Sequence, residues 1–178
     1  LTWLAADPAP AVRRALAAKP ATPHQAGLLL ADAPDAEVRA ALARRIGALA
    51  PQLGPAAQDR LARIGGAVLA RLAEDAAVEV RAAIADAVAG LPDAPRDLVL
   101  RLARDTALRV AGPVLRLSPR LSEADLMALV AMPPAEFTRR AVAARPELGE
   151  AVADALADSA DAAAIAALLG NPSATIRE

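Results

Sequence analysis

The sequence predicts an all-α chain, a stack of helix pairs wound into an α-α superhelix, and three observations carry that expectation. One phrase recurs: an aspartate, four variable residues, a branched apolar residue and usually arginine. It reads Asp7-Pro-Ala-Pro-Ala-Val12-Arg13, Asp75-Ala-Ala-Val-Glu-Val80-Arg81 and Asp105-Thr-Ala-Leu-Arg-Val110. A copy one residue longer runs from Asp32 to Val38-Arg39, and an asparagine variant runs from Asn171 to Ile176-Arg177. Each copy opens a run rich in alanine and leucine with apolar residues at helical spacing, the mark of a stacked repeat. No run alternates apolar and polar residues in the manner of a strand. At 178 residues, the chain reads as one domain, 1–178, of about five helix pairs, each taking about 30–45 residues.

The elements follow in order. Asp7-Pro8 sets a side-chain acceptor and a proline at the start of a helix over Val12–Ala18. Thr22-Pro23-His24-Gln25 has the spacing of a capping box and opens a helix through Leu28, Leu29 and Leu30. Asp35 caps a third, carrying Val38, Leu42, Ile46 and Leu49. Pro51 and Pro55 bracket a turn before a long helix with Leu61, Ile64, Val68, Leu69 and Leu72, bent at Gly65-Gly66. Helices are then expected over Val78–Leu91 and Arg96–Arg104. Pro113 should kink or shorten the helix that Asp105 opens, because its ring removes a donor and clashes with the preceding turn. Ser122 caps a helix through Leu126, Leu129 and Val130, and Pro133-Pro134 starts one through Phe137 and Val142 to Arg145. Pro146 begins a helix with Leu148, Val152 and Leu156. Asp161 leads into Ile165, Leu168 and Leu169, which Gly170-Asn171 closes.

Composition narrows the function classes. Alanine fills 52 positions and leucine 26, while Trp3 and Phe137 are the only aromatics. Such a core lets helices approach closely but supplies few large anchors for a ligand. With 20 basic and 21 acidic residues the net charge is −1, so no overall field attracts nucleic acid or an anionic membrane. There is no cysteine, which removes disulfides and thiolate metal sites. His24 is the only histidine, at a helix start between proline and glutamine, where it reads as solvated or capping. Glu74-Asp75, Asp154, Asp158 and Asp161 lie at helix ends or on one helix face, where carboxylates serve the helix dipole. Gly65-Gly66 follows a helical run and not a strand, so it is no phosphate loop. The expectation is no catalytic, cofactor or metal site, and no membrane span. The first residues lack a signal peptide. The chain starts as though inside a helix and ends on the opening of another unit, as a piece of a longer protein would.

The recurring phrase has a physical reason. Aspartate ahead of a helix accepts hydrogen bonds from its free N–H groups and complements the positive end of its dipole. The arginine six residues on can bridge the aspartate of its own or a neighbouring repeat, so Asp7, Arg13, Arg39, Asp75, Arg81 and Asp105 are expected to form a ladder. These residues resemble the HEAT-repeat signature, which marks the turn and second helix of each pair with aspartate and arginine. From Asp105 through Gly112-Pro113, Ser118-Pro119 and Ser122 to Asp125-Leu126, the chain resembles an uncharacterised alphaproteobacterial family with HEAT-like repeats, a domain of unknown function. Arg145-Pro-Glu-Leu148 and Leu168-Leu169-Gly170-Asn171-Pro172 extend that likeness to residue 175, and Phe137-Thr-Arg-Arg140 departs from it. The resemblance implies a cytoplasmic bacterial protein with no established activity.

Two function classes follow. The first is a non-enzymatic scaffold that binds a protein partner through the concave face of a helical arc, as repeat arrays do. Arginine pairs supply its candidate contacts: Arg14, Arg44, Arg45 and Arg140, balanced on the bland reading by Glu37, Asp59 and Glu136. The second is a nucleic-acid-binding protein or a HEAT-like DNA glycosylase, which needs a basic groove, aromatics against the base and a positioned carboxylate. A bilin-lyase-like pocket would need more aromatics than this chain has. Salt-sensitive binding to duplex DNA discriminates the first two classes.

Overall fold

A computed structural model describes residues 1–49 and 68–174, and among them every regular element is helical. A short 3-10 helix, Thr2–Ala6, precedes α1 (Pro10–Ala18), α2 (His24–Ala31), α3 (Ala36–Leu49) and α4 (Val78–Val88). Then follow α5 (Arg96–Ala103), α6 (Leu108–Leu117), α7 (Glu123–Ala131), α8 (Thr138–Ala143), α9 (Glu150–Ala157) and α10 (Ala162–Leu169). Residues 68–72 are helical too, and bury Val68, Leu69 and Leu72. The expected turn at Pro51 and Pro55 and the bend at Gly65-Gly66 lie outside the described residues. The chain divides into two compact units, Leu1–Ala87 and Val88–Glu178.

Within the first unit, the 3-10 helix packs on α1 and α2, α2 packs on α3, and α1 lies along α3. Ala17, Ala26, Leu30, Val38, Leu42 and Ala43 are sealed between them. Alanine permits unusually close approach at one point. A Cβ placed on Gly47 of α3 would lie 2.1 Å from the Cβ of Ala87 on α4, so only glycine fits this crossing. In the second unit, α5 packs on α6, α7 on α8 and α9 on α10. In addition α6 meets α8, α8 meets α10, and α7 meets α9. Helices α7 and α8 thus each touch both their successor and the helix two places on, and Leu102, Val110, Leu115, Val142, Leu148, Leu156 and Leu168 are buried. The largest fully buried side chains of both units are leucine, isoleucine and valine, without an aromatic among them.

Several helix starts differ from expectation, each for a local reason. Pro10, not Pro8, takes the first helical position, while Asp7 accepts from the Ala9 amide at 2.9 Å in a turn ahead of α1. Thr22 forms no capping box. Its hydroxyl donates backward to the carbonyls of Leu16 and Lys19, closing α1 instead of opening α2. Helix α6 runs through Pro113 without a break. Gly112 has no Cβ to collide with the pyrrolidine ring, and the Arg109 carbonyl deprived of its donor belongs to a solvent-exposed residue. Pro133-Pro134 starts no helix; α8 begins at Thr138, whose hydroxyl accepts from the Ala135 amide at 3.2 Å. After Pro146 the chain passes through a left-handed Glu147 (φ 54°), which delays α9 to Glu150. Ser122 and Asp125 form a reciprocal capping box at α7, and Asp161 caps α10 through the amides of Ala163 and Ala164.

Candidate functional site

Two arrangements of arginine stand on these helices, one tied into the stack and one facing outward. In the tied set, each arginine donates to backbone carbonyls of the turn ahead of its own helix. Arg13 reaches the carbonyls of Asp7 and Pro8, Arg39 those of Ala33 and Pro34, and Arg81 those of Asp75 and Ala76. Two of these guanidinium groups also reach an acid further along the chain: Arg13 bonds the carboxylate of Asp35, and Arg39 spans both oxygens of Asp75. Asp75 is thus served by Arg39, 36 residues earlier in the chain, and not by Arg81, which holds its backbone. In the longer copy of the phrase, Asp35 takes the role that its spelling suggested for Asp32. Asp32 pairs with Arg71 at the exposed surface. Asp75 and Asp105 each accept from the amide two residues on, at 2.9 and 2.8 Å.

Electrostatics follow from this geometry. Burial alone would push the Asp75 carboxyl up. The Arg39 hydrogen bonds, the Ala77 amide and the charges of Arg39 and Arg81 outweigh it and hold the carboxyl below its ordinary range. The hydrogen bond to Asp75 in turn raises Arg39. Asp125 is likewise held low: burial opposes ionisation, but Ser122 and the Arg96 guanidinium, 2.6 Å away, favour it.

The outward set occupies the seam between α1 and α3. Ala11, Arg14, Ala15 and Ala18 form one face of α1, spaced at i, i+3, i+4 and i+7. Ala41, Arg44, Arg45 and Ala48 repeat that spacing on α3, and together the two stripes line an open cavity of about 560 Å³. Three of the four arginines expected to contact a partner therefore share one groove. Arg14 bonds Glu37 at 2.7 Å on its exposed rim. Arg44 is exposed and has no hydrogen-bond or ion-pair partner among the described residues. Arg45 is half-buried, which lowers its pKa; its guanidinium makes a long contact, 3.4 Å, to the Lys19 carbonyl, and its Nε is buried without a partner. Arg140 belongs to the second unit, exposed on α8, while its neighbour Arg139 is tied to the Val130 carbonyl at 2.9 Å. Asp59 lies outside the described residues, and Glu136 is exposed.

Sequence reasoning missed a further set of ties at helix C-termini. Arg145 donates to the carbonyls of Leu115 and Ser118 at the end of α6, and burial pushes its pKa down. Asn171 donates to the carbonyls of Ala143 and Arg145 at the end of α8, at 2.8 and 2.7 Å. The shared signal was available: Arg145 and Asn171 each stand directly before a proline, where the chain has left its helix and the side chain is free to reach back.

His24 is the first residue of α2. No cluster of three or more histidine or acidic residues able to hold a metal occurs among the described residues, nor is any described helix long and apolar enough to cross a membrane. Residues 110–178, well under half of the chain and wholly within the second unit, match the model of a family described as an uncharacterised protein conserved in bacteria (DUF2336). Neither a curated protein nor a solved structure matches the chain.

Proposed function

We propose that this chain is a non-enzymatic scaffold for a protein partner, built as an α-α superhelix of HEAT-like helix pairs and bound through its inner helices. The observation that carries this reading is the α1–α3 groove, where Arg14, Arg44 and Arg45 converge over a floor of alanines, four of the five exposed. Methyl groups and guanidinium groups suit the holding of an anionic surface. The lining has no side chain that titrates near neutrality and none that is a nucleophile. In the second unit α6 meets α8, α7 meets α9 and α8 meets α10, an alternation of contacts of the kind by which repeat stacks bury a continuous core. Arg140 on α8 extends the same chemistry to that unit. The cytoplasmic setting rests on the family resemblance.

Affinity capture from the native bacterium tests the reading, using the full-length protein and its Arg44→Glu/Arg140→Glu variant. Both positions are exposed, so helicity and melting should not change. The wild type should retain a partner that the variant holds at least about tenfold more weakly, as expected when charged contacts are reversed. Equal capture by both proteins would remove the groove from the binding surface. A nucleotide, a metal or a modified base carried through purification would move the protein to another class.

A further inference from the structure

We propose that the occupant of the α1–α3 groove is an acidic peptide segment, whose carboxylates Arg44 and Arg45 grip while its small apolar side chains rest on the alanine floor; this rests on the scaffold reading and names the chemistry of its partner. Three observations support it. The groove already holds a carboxylate at its rim, where Glu37 accepts from Arg14 at 2.7 Å. Beside that pair stands Arg44, exposed and with neither a hydrogen bond nor an ion pair among the described residues. Next to it, half-buried Arg45 also lines the cavity, its guanidinium making only a long contact, 3.4 Å, to the Lys19 carbonyl. A guanidinium with unused donors and a planar fork matches carboxylate geometry better than any neutral group does.

No acidic residue lines the cavity, so an incoming carboxylate meets no like charge there; Glu37 stands at the rim and competes for Arg14 alone. The alanine floor is apolar, which suits the methyl and methylene groups of a peptide. A nucleic-acid backbone would draw instead on a wide basic surface and on aromatic stacking. The chain carries a net charge of −1 and only two aromatics, with Trp3 outside the cavity lining and Phe137 in the other unit.

The test uses fluorescence anisotropy at low salt with the whole chain and a labelled peptide of alternating glutamate and alanine pairs. A peptide with lysine for glutamate and a duplex DNA serve as rival probes. Saturable binding of the acidic peptide is expected, weakening as salt rises, with no binding of the lysine peptide. Arg44→Glu should weaken it about tenfold. Arg116→Glu, the same charge change at an exposed site on α6, should leave it unchanged. Glu37→Gln should strengthen it, about threefold, by freeing Arg14 from its internal carboxylate. Circular dichroism and melting of each variant verify that the fold is intact. The proposal is overturned if the acidic peptide does not saturate, if Arg44→Glu and Arg116→Glu weaken it equally, or if duplex DNA binds more tightly through Arg44. If any of these occurs while capture of the native partner still depends on Arg44, the acidic-peptide assignment alone fails. Capture that ignores Arg44 and Arg140 removes the scaffold reading itself.

Discussion

Arg39 ties two turns of the first unit together. It donates to two backbone carbonyls of its own turn and to both oxygens of Asp75, and only 9 % of the Asp75 side chain is exposed. Replacing Arg39 with alanine leaves a largely buried carboxylate with only the Ala77 amide and the more distant charge of Arg81. The expected loss is about 2–3 kcal/mol in urea unfolding, because removing one partner strands the other. An exposed pair such as Arg14–Glu37 should contribute well under that, about 0–1 kcal/mol. The same geometry sets a pH dependence. Asp75 and Asp125 are both held below their ordinary values in the folded chain. A depressed carboxyl contributes stability that is full above the unfolded value, near 3.9, and is lost as pH falls through the folded value. Melting should therefore hold steady from neutrality to about pH 5 and fall steeply below about pH 4. Asp75→Asn should melt lower at neutral pH and show a shallower acid loss; an unchanged acid limb would show that Asp75 is not among its causes.

At the scale of the helix, Gly47 decides how closely α3 and α4 cross. By helix propensity alone, Gly47→Ala would stabilise α3 by about 1 kcal/mol. The new methyl, however, would sit 2.1 Å from one Ala87 atom and 3.0 Å from another, one of them backbone, so the helices must separate. Overpacking of this kind costs about 1–3 kcal/mol, and the net expectation is a variant up to about 2 kcal/mol less stable than wild type. A gain in melting temperature would show that propensity wins and that the crossing is loose. Pro113 teaches the complementary lesson. A proline that should interrupt α6 is accommodated because its neighbour is glycine and the orphaned carbonyl lies on an exposed residue, so the helix continues to Leu117.

At the scale of the whole molecule, composition limits what the chain can bind. Positive and negative charges nearly cancel, and the aromatics number two. An electrophoretic shift assay with duplex DNA at low salt should show no saturable complex, since counterion release needs several clustered phosphate contacts. A saturable shift whose affinity drops steeply with salt would instead favour the nucleic-acid class. Stability is spread over many small interfaces, with alanine and leucine filling the core and no buried aromatic dominating it.

The sequence by itself determined that the described regular elements are helices, roughly where they lie, and which residue types mark each turn. Those features depend on propensity, capping and apolar spacing, all of which act within a few residues. It also singled out Arg14, Arg44 and Arg45. Only the tertiary structure decided who meets whom. Arg39 pairs with an aspartate 36 residues away because the offset between stacked helices, not the spacing along the chain, brings them together. Thr22 turned backward to close α1 because its hydroxyl reaches the carbonyls of Leu16 and Lys19 at the end of that helix, although its spacing suited a capping box. The groove arose in the same way, since two alanine-and-arginine stripes about thirty residues apart mean nothing until α1 lies along α3. Linear spacing is read by local geometry, whereas partners across a stack are set by how one packed layer registers on the next, a sum of many small contacts that no single residue spells out.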